Sequence, residues 1–167
     1  RHLSVTDGLT GCYNRRALQD KLPEEIERAQ RYHRPLAVVF MDIDHFKQFN
    51  DQHGHQLGDE VLRSAAKHVA STLRQGVDWI ARYGGEEFVL VLPETPLEAA
   101  IAIAHRLCDA LPQHAVPNPR GGSVYISASF GVTAYRPGED ALALLSRADT
   151  LVYQAKSAGR QQVVAGA

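Results

Sequence analysis

RYGGEEFVLVLP, residues 82–93, sets two glycines and two glutamates in front of an unbroken apolar run. The stretch Ile80–Leu92 is broken at Gly84-Gly85, which predicts two strands joined by a two-residue turn, because glycine accepts the positive φ angles of tight hairpins. Strands joined in this way are antiparallel, so a doubly wound parallel nucleotide fold is excluded. Upstream, Leu36–Met41 is a continuous apolar run with β-branched and aromatic members, a strand buried on both faces that ends at Asp42 and Asp44. Downstream, Val124–Ala134 fits a fourth strand and Gln161–Ala165 a short fifth.

Helices fill the gaps. Leu18–Tyr32 is predicted helical, Val61, Leu62, Ala65, Ala66, Val69 and Leu73 form one apolar stripe, and Ala100, Ile103, Ala104, Leu107 and Leu111 form another. Thr95-Pro96-Leu97-Glu98 reads as the start of that second stripe, with a capping threonine and proline at the first helical position. The stripe from Leu142 to Ala155 ends at Gly159, a natural helix stop. The order α, β, α, β-β, α, β, α, β contains the β-α-β-β-α-β core of ferredoxin-like sheets. The expected fold is α+β: a central, mainly antiparallel five-stranded sheet with flanking helices.

A chain of 167 residues, 44% hydrophobic, is the size of one domain, and we expect no boundary within 1–167. Its longest apolar run is far shorter than the roughly 20 residues of a membrane span, so no membrane contact by this domain is expected. Eighteen basic residues against nineteen acidic leave no surplus for nucleic-acid binding. Cys12 and Cys108 have no metal-like spacing and fit reduced thiols in a cytoplasmic fold.

The acids at the strand ends carry the chemistry. Asp42 and Asp44 share one face of an extended chain and Ile43 takes the other, while Glu86 and Glu87 point oppositely. If the hairpin lies beside the first strand, Asp42 and Glu86 meet at the end of the sheet. Two such charges ~4 Å apart repel by about 4 kcal/mol at an effective dielectric of 20. A cation relieves this, and oxygen donors without His or Cys select Mg²⁺ or Mn²⁺. The plainer alternative is solvated acids capping the strands, with Glu87 paired to Arg82. Lys47 and the backbone N–H groups beyond Asp44 suit phosphate oxygens. Lys156 and Arg160, four apart at the end of the last helix, could share an anion or simply complement the helix dipole.

GGEEF at 84–88 resembles the signature of GGDEF-domain diguanylate cyclases in its Glu variant. DGLTGCYNRR at 7–16, DIDHFKQFND at 42–51, GHQLGDEVL at 54–62 and YQAKSAGR at 153–160 resemble the other motifs of that family, in order across the chain. The resemblance implies a nucleotidyl-cyclase-type fold and conversion of two GTP to cyclic di-GMP and pyrophosphate. It implies two Mg²⁺ (or Mn²⁺) ions per site on Asp42, the carbonyl of Ile43 and Glu86, with Glu86, Glu87 and Lys47 as catalytic candidates. Lys47, Lys156, Arg160 and the main chain of His45 and Phe46 would bind phosphates. Gly84 and Gly85 would let the nucleotide approach. Asn50 and Asp59 would read guanine beside His55 and Leu57, although Asp59 also suits a helix cap.

The family's product-inhibition motif, Arg-x-x-Asp, reads Gln75-Gly76-Val77-Asp78 here, so Asp78 is kept and the arginine is lost. Weak product feedback follows unless Arg74 compensates. The resemblance further implies a functional homodimer and a fragment of a larger protein with an upstream sensory or regulatory domain; Asp7, Asn14, Arg15 and Arg16 are read as a structural turn at its entry. Two other readings stand beside the enzyme: a catalytically quiet GTP- or cyclic-dinucleotide-binding module, and a two-metal transferase acting on nucleic acid.

Overall fold

Asn14 begins the regular structure: its side chain accepts from the Ala17 N–H and caps helix α1, Arg15–Tyr32, three residues earlier than periodicity alone indicates. The computed structural model describes residues 4–167. In chain order follow β1 (Leu36–Ile43), α2 (Phe46–His53), α3 (His55–Thr72), β2 (Trp79–Gly84), β3 (Glu87–Pro93), α4 (Leu97–Ala110), β4 (Val116–Pro117), β5 (Ser123–Val124), β6 (Ala128–Ala134), α5 (Ala141–Ser157) and β7 (Val163–Ala165).

The main sheet has the order β2-β3-β1-β6-β7; β7 runs parallel to β6 and every other neighbouring pair is antiparallel. All eight residues of β1 are buried, as a central strand covered on both faces demands. Ala37, Val39, Met41 and Ile43 join the core formed with α3 and α4, whereas Leu36, Val38 and Phe40 join the one formed with α1 and α5. Fully burying one large apolar side chain contributes about 1.5–3 kcal/mol, so this strand anchors both layers.

Several local expectations are corrected. The hairpin turn is Gly85-Glu86, with Gly84 opposite Glu87, and neither signature glycine has positive φ; a register shift between Arg82 and Gly84 makes the bend instead. The predicted fourth strand is two elements, because Ser123-Val124 leaves the main sheet to pair with β4. Thr95 does not cap α4, whose N-cap is Pro96; its hydroxyl donates to Pro93 O and accepts from Arg74. The entry segment is structural as expected. Asp7 accepts from Thr10 and from Arg82, and Tyr13 bridges to Ala81 of β2.

Gly131 of β6 lets α5 lie against the sheet, since a Cβ there would collide with the main-chain Ala148 O and Val152 N. Backbone cannot yield as a flexible side chain can. Gly131→Ala should therefore destabilise the fold by about 1–3 kcal/mol, measured as a lower urea midpoint with unchanged slope.

Candidate active site at one rim of the sheet

The β1–β3 register pairs Asp42 directly with Glu87, so these two acids share the α1/α5 face of the sheet. Glu86 sits in the adjoining turn, and its carbonyl accepts from the Ile43 N–H at 3.2 Å. Asp42 and Glu86 thus lie at the same end of the sheet, and the register adds Glu87 as the residue directly opposite Asp42. Asp42 is only 4% exposed, and the Lys156 Nζ donates to its Oδ2 at 3.1 Å. Burial pushes its carboxyl up to about 6; the Lys156 contact opposes this, and the charges of Glu86 and Glu87 add to it. Glu87 is raised too, by burial and then by Asp149 and Glu86. Arg82, the alternative neutraliser, is turned to Asp7 and the Gly85 carbonyl. Among the described residues, Lys156 on Asp42 is the only cation bonded directly to any of the three acids.

This surplus of negative charge on oxygen donors fits a hard divalent cation. Among the described residues no group of three Asp, Glu, His or Cys side chains is arranged to hold a metal ion by itself; Mg²⁺ commonly takes one or two carboxylates and fills its shell with water and phosphate.

Beyond Ile43 the chain turns at His45, φ 55°, which is the N-cap of α2; Phe46 and Lys47 open that helix, and Lys47 is exposed. Sequence reading missed α2 as a helix. Lys156 lies in the last turn of α5, but Arg160 lies past its end with φ 65°, so the two do not share a helical face as expected.

Asn50 of α2 lies over Gly58 of α3, so closely that a Cβ on Gly58 would collide with its amide. Asn50 Oδ1 is buried and has no hydrogen-bond partner among the described residues, and Asp59 is the next residue along α3. Asp59 is the fifth residue of that helix rather than in its first turn, which removes the capping alternative; Gly54 is the N-cap. His55 is exposed at the start of α3 and Leu57 is buried. A Cβ at Gly85 would meet nothing within 4 Å. The fold itself does not require glycine there. Far from this rim, Arg74 Nε and Nη2 grip the Asp78 carboxylate, at 3.0 and 2.7 Å, and Nη2 reaches Pro93 O; Gln75 is exposed.

Residues 4–162 match the family described as "Diguanylate cyclase, GGDEF domain". The chain is 43% identical to diguanylate cyclase DgcP of Pseudomonas aeruginosa over 98% of its length and 24% of that protein's. It is 43% identical to response regulator PleD of Caulobacter vibrioides over 97% of its length and 36% of that protein's. It thus spans from about a quarter to just over a third of the length of these relatives. Among solved structures, the GGDEF domain of DgcB from Caulobacter crescentus in complex with c-di-GMP superposes with TM-score 0.92 at 32% identity, covering 99% of this chain and 97% of that one.

An acid whose native pKa is raised binds its proton more tightly folded than unfolded, so the fold loses stability as pH rises from the ordinary aspartate range through about 6. Asp42→Asn should remove that loss. In chelator at pH 7 the variant should be more stable than the parent by about 1–3 kcal/mol, and the gain should shrink as pH is lowered toward about 4. Urea titrations at both pH values measure it.

Proposed function

The chain belongs to the GGDEF-domain family of diguanylate cyclases, and from that premise we propose that it condenses two GTP into cyclic di-GMP, releasing two pyrophosphates. Each 3′-hydroxyl attacks the α-phosphorus of the other nucleotide, a P–O bond forms, and pyrophosphate leaves. The observation that carries this reading is the buried, under-neutralised Asp42 beside Glu86 and Glu87.

Asp42, the Ile43 carbonyl and Glu86 would hold two Mg²⁺ or Mn²⁺ ions. When bound, these supply a lowered pKa at the attacking hydroxyl and neutralise charge on the leaving pyrophosphate. Glu87 would take part in proton transfer, a reading supported by its position opposite Asp42 and its raised carboxyl. Lys47, Lys156, Arg160 and the main-chain N–H groups of His45 and Phe46 would bind the β and γ phosphates, and Lys47 would stabilise developing charge. Gly84 and Gly85 would leave room for the nucleotide; the empty space around a Gly85 Cβ supports a demand from outside the fold.

Asn50 and Asp59 would read guanine in a pocket lined by His55 and Leu57. Support comes from Asn50 Oδ1, a buried acceptor without a donor among the described residues, which a guanine N–H would satisfy and for which adenine does not present its donors in the same place. Two nucleotides must face one another, so the active form is a homodimer. The region of a longer protein outside this segment would carry the regulatory domain, and the GTP pool places the activity in the cytoplasm. No described helix is long and apolar enough to cross a membrane. A quiet binding module would have no use for buried metal-binding acids.

Product feedback through Gln75 and Asp78 should be weak, because Arg74 already spends its fork on Asp78, Pro93 and Thr95.

Incubation with GTP and Mg²⁺, followed by chromatography, should yield cyclic di-GMP, and Asp42→Ala and Glu86→Ala should abolish it. Cyclic product made at the parent's rate by a variant lacking both acids would reject the metal assignment. Rate per molecule should fall as the protein is diluted below its dimer constant. Calorimetry with cyclic di-GMP should find no sub-micromolar site; tight binding of several ligands would mean that Arg74 turns outward.

A further inference from the structure

Asp44, one residue beyond β1, is buried at the same rim as Asp42, but its carboxylate is occupied by the protein itself. Oδ1 accepts from Ser129 Oγ at 2.6 Å, and Oδ2 accepts from Ser127 Oγ at 2.6 Å and from the Gln161 main-chain N–H at 3.1 Å. The Asp44 N–H donates to Ser127 O at 2.9 Å. One side chain thus joins the end of β1, the start of β6 and the segment after α5. Hydrogen bonds to an ionised acceptor are stronger than neutral ones, and three of them leave this carboxylate little capacity for an external cation.

The segment it holds has an unfavourable backbone. Gly159, Arg160 and Gln161 have φ of 123°, 65° and 47°, a run of left-handed residues of which only the first is glycine. Residues with a Cβ keep such angles only where their surroundings impose them. The Arg160 N–H is bonded to Ala155 O at 2.9 Å, and Gln162 O accepts from the Phe130 N–H at 3.0 Å. Between these two anchors the Gln161 N–H has the Asp44 carboxylate. Arg160 Nε is buried without a partner among the described residues, a guanidinium donor left open to a ligand.

We propose that Asp44 is a positioning residue for the triphosphate: by holding the Gln161 N–H it imposes the left-handed step that aims the Arg160 guanidinium at the phosphates. Ser127 and Ser129 hold its rotamer. The inference rests on the GTP-binding reading above. Alternate acids of one strand end then divide the work: Asp42 takes ions, and Asp44 fixes the arginine that takes phosphate.

The test titrates a non-hydrolysable GTP analogue with Mg²⁺ by calorimetry into the parent, Asp44→Ala, Asp44→Asn, Arg160→Ala and the Asp44→Ala/Arg160→Ala pair, and follows amide hydrogen exchange at Gln161. Asparagine keeps an oxygen for Gln161 and Ser127 and can donate to Ser129 Oγ, so Asp44→Asn should bind within about threefold of the parent. Asp44→Ala should bind about tenfold more weakly, and should speed exchange at Gln161 while Val39 in β1 stays protected. In the Arg160→Ala background it should cost no more than about twofold further, since coupled residues are not additive. Should Asp44→Ala fail to fold, Asp44→Glu displaces the carboxylate from Gln161 and should show the same loss and the same coupling. Losses that multiply independently, unchanged binding in Asp44→Ala, or a parent that does not bind the analogue would each overturn the proposal. A parent that binds the analogue yet makes no cyclic product from GTP would instead sink the cyclase reading and leave this coupling standing.

Discussion

The register between β1 and β3 is the constraint on which the molecule depends. Pairing Leu36 with Pro93 at one end fixes Asp42 against Glu87 at the other, through seven residue pairs. A slip of one residue would send Val38 and Phe40 to the wrong core and carry Asp42 onto the α3/α4 side. The same apolar alternation that builds two cores therefore delivers the acids to one face. No separate device is needed to place them.

That placement opposes stability. A buried aspartate beside two glutamates, with one lysine in direct contact, is an arrangement that folding alone would not favour. Elsewhere the partly buried ion pairs are well bonded: Arg147 binds Glu139, Thr133 and Ala134 O together, and Arg82 serves both Asp7 and the signature turn. The contrast makes the rim the candidate site on electrostatic grounds.

Long periodic segments were legible. The five principal strands and the large helices follow from apolar spacing, and the hairpin correctly implied an antiparallel centre. Helix α2 was not, because it is two turns long, none of its residues is fully buried, and only Phe46 and Phe49 pack against the core. Thr95 carried a helix-start signature, yet Pro93 and Arg74, 21 positions away in the latter case, captured its hydroxyl. At the site, that Glu87 stands directly opposite Asp42 turns on a single register step, which local sequence does not specify. The contact of Lys156 with Asp42 spans 114 positions and that of Ser129 with Asp44 spans 85. The serines in ISASF alternate as strand neighbours should, but nothing nearby names the acid they serve.

The rims of the sheet have a further consequence. On one side β7 is three residues long, and on the other the exposed flank of β2 is already engaged by Tyr13, whose N–H and carbonyl bond to Ile80 and Arg82. Neither flank offers a long free ladder onto which a foreign strand could zip. Among the described residues, extension of the sheet by a foreign strand, the geometry that leads to fibrils, is thereby disfavoured at both flanks.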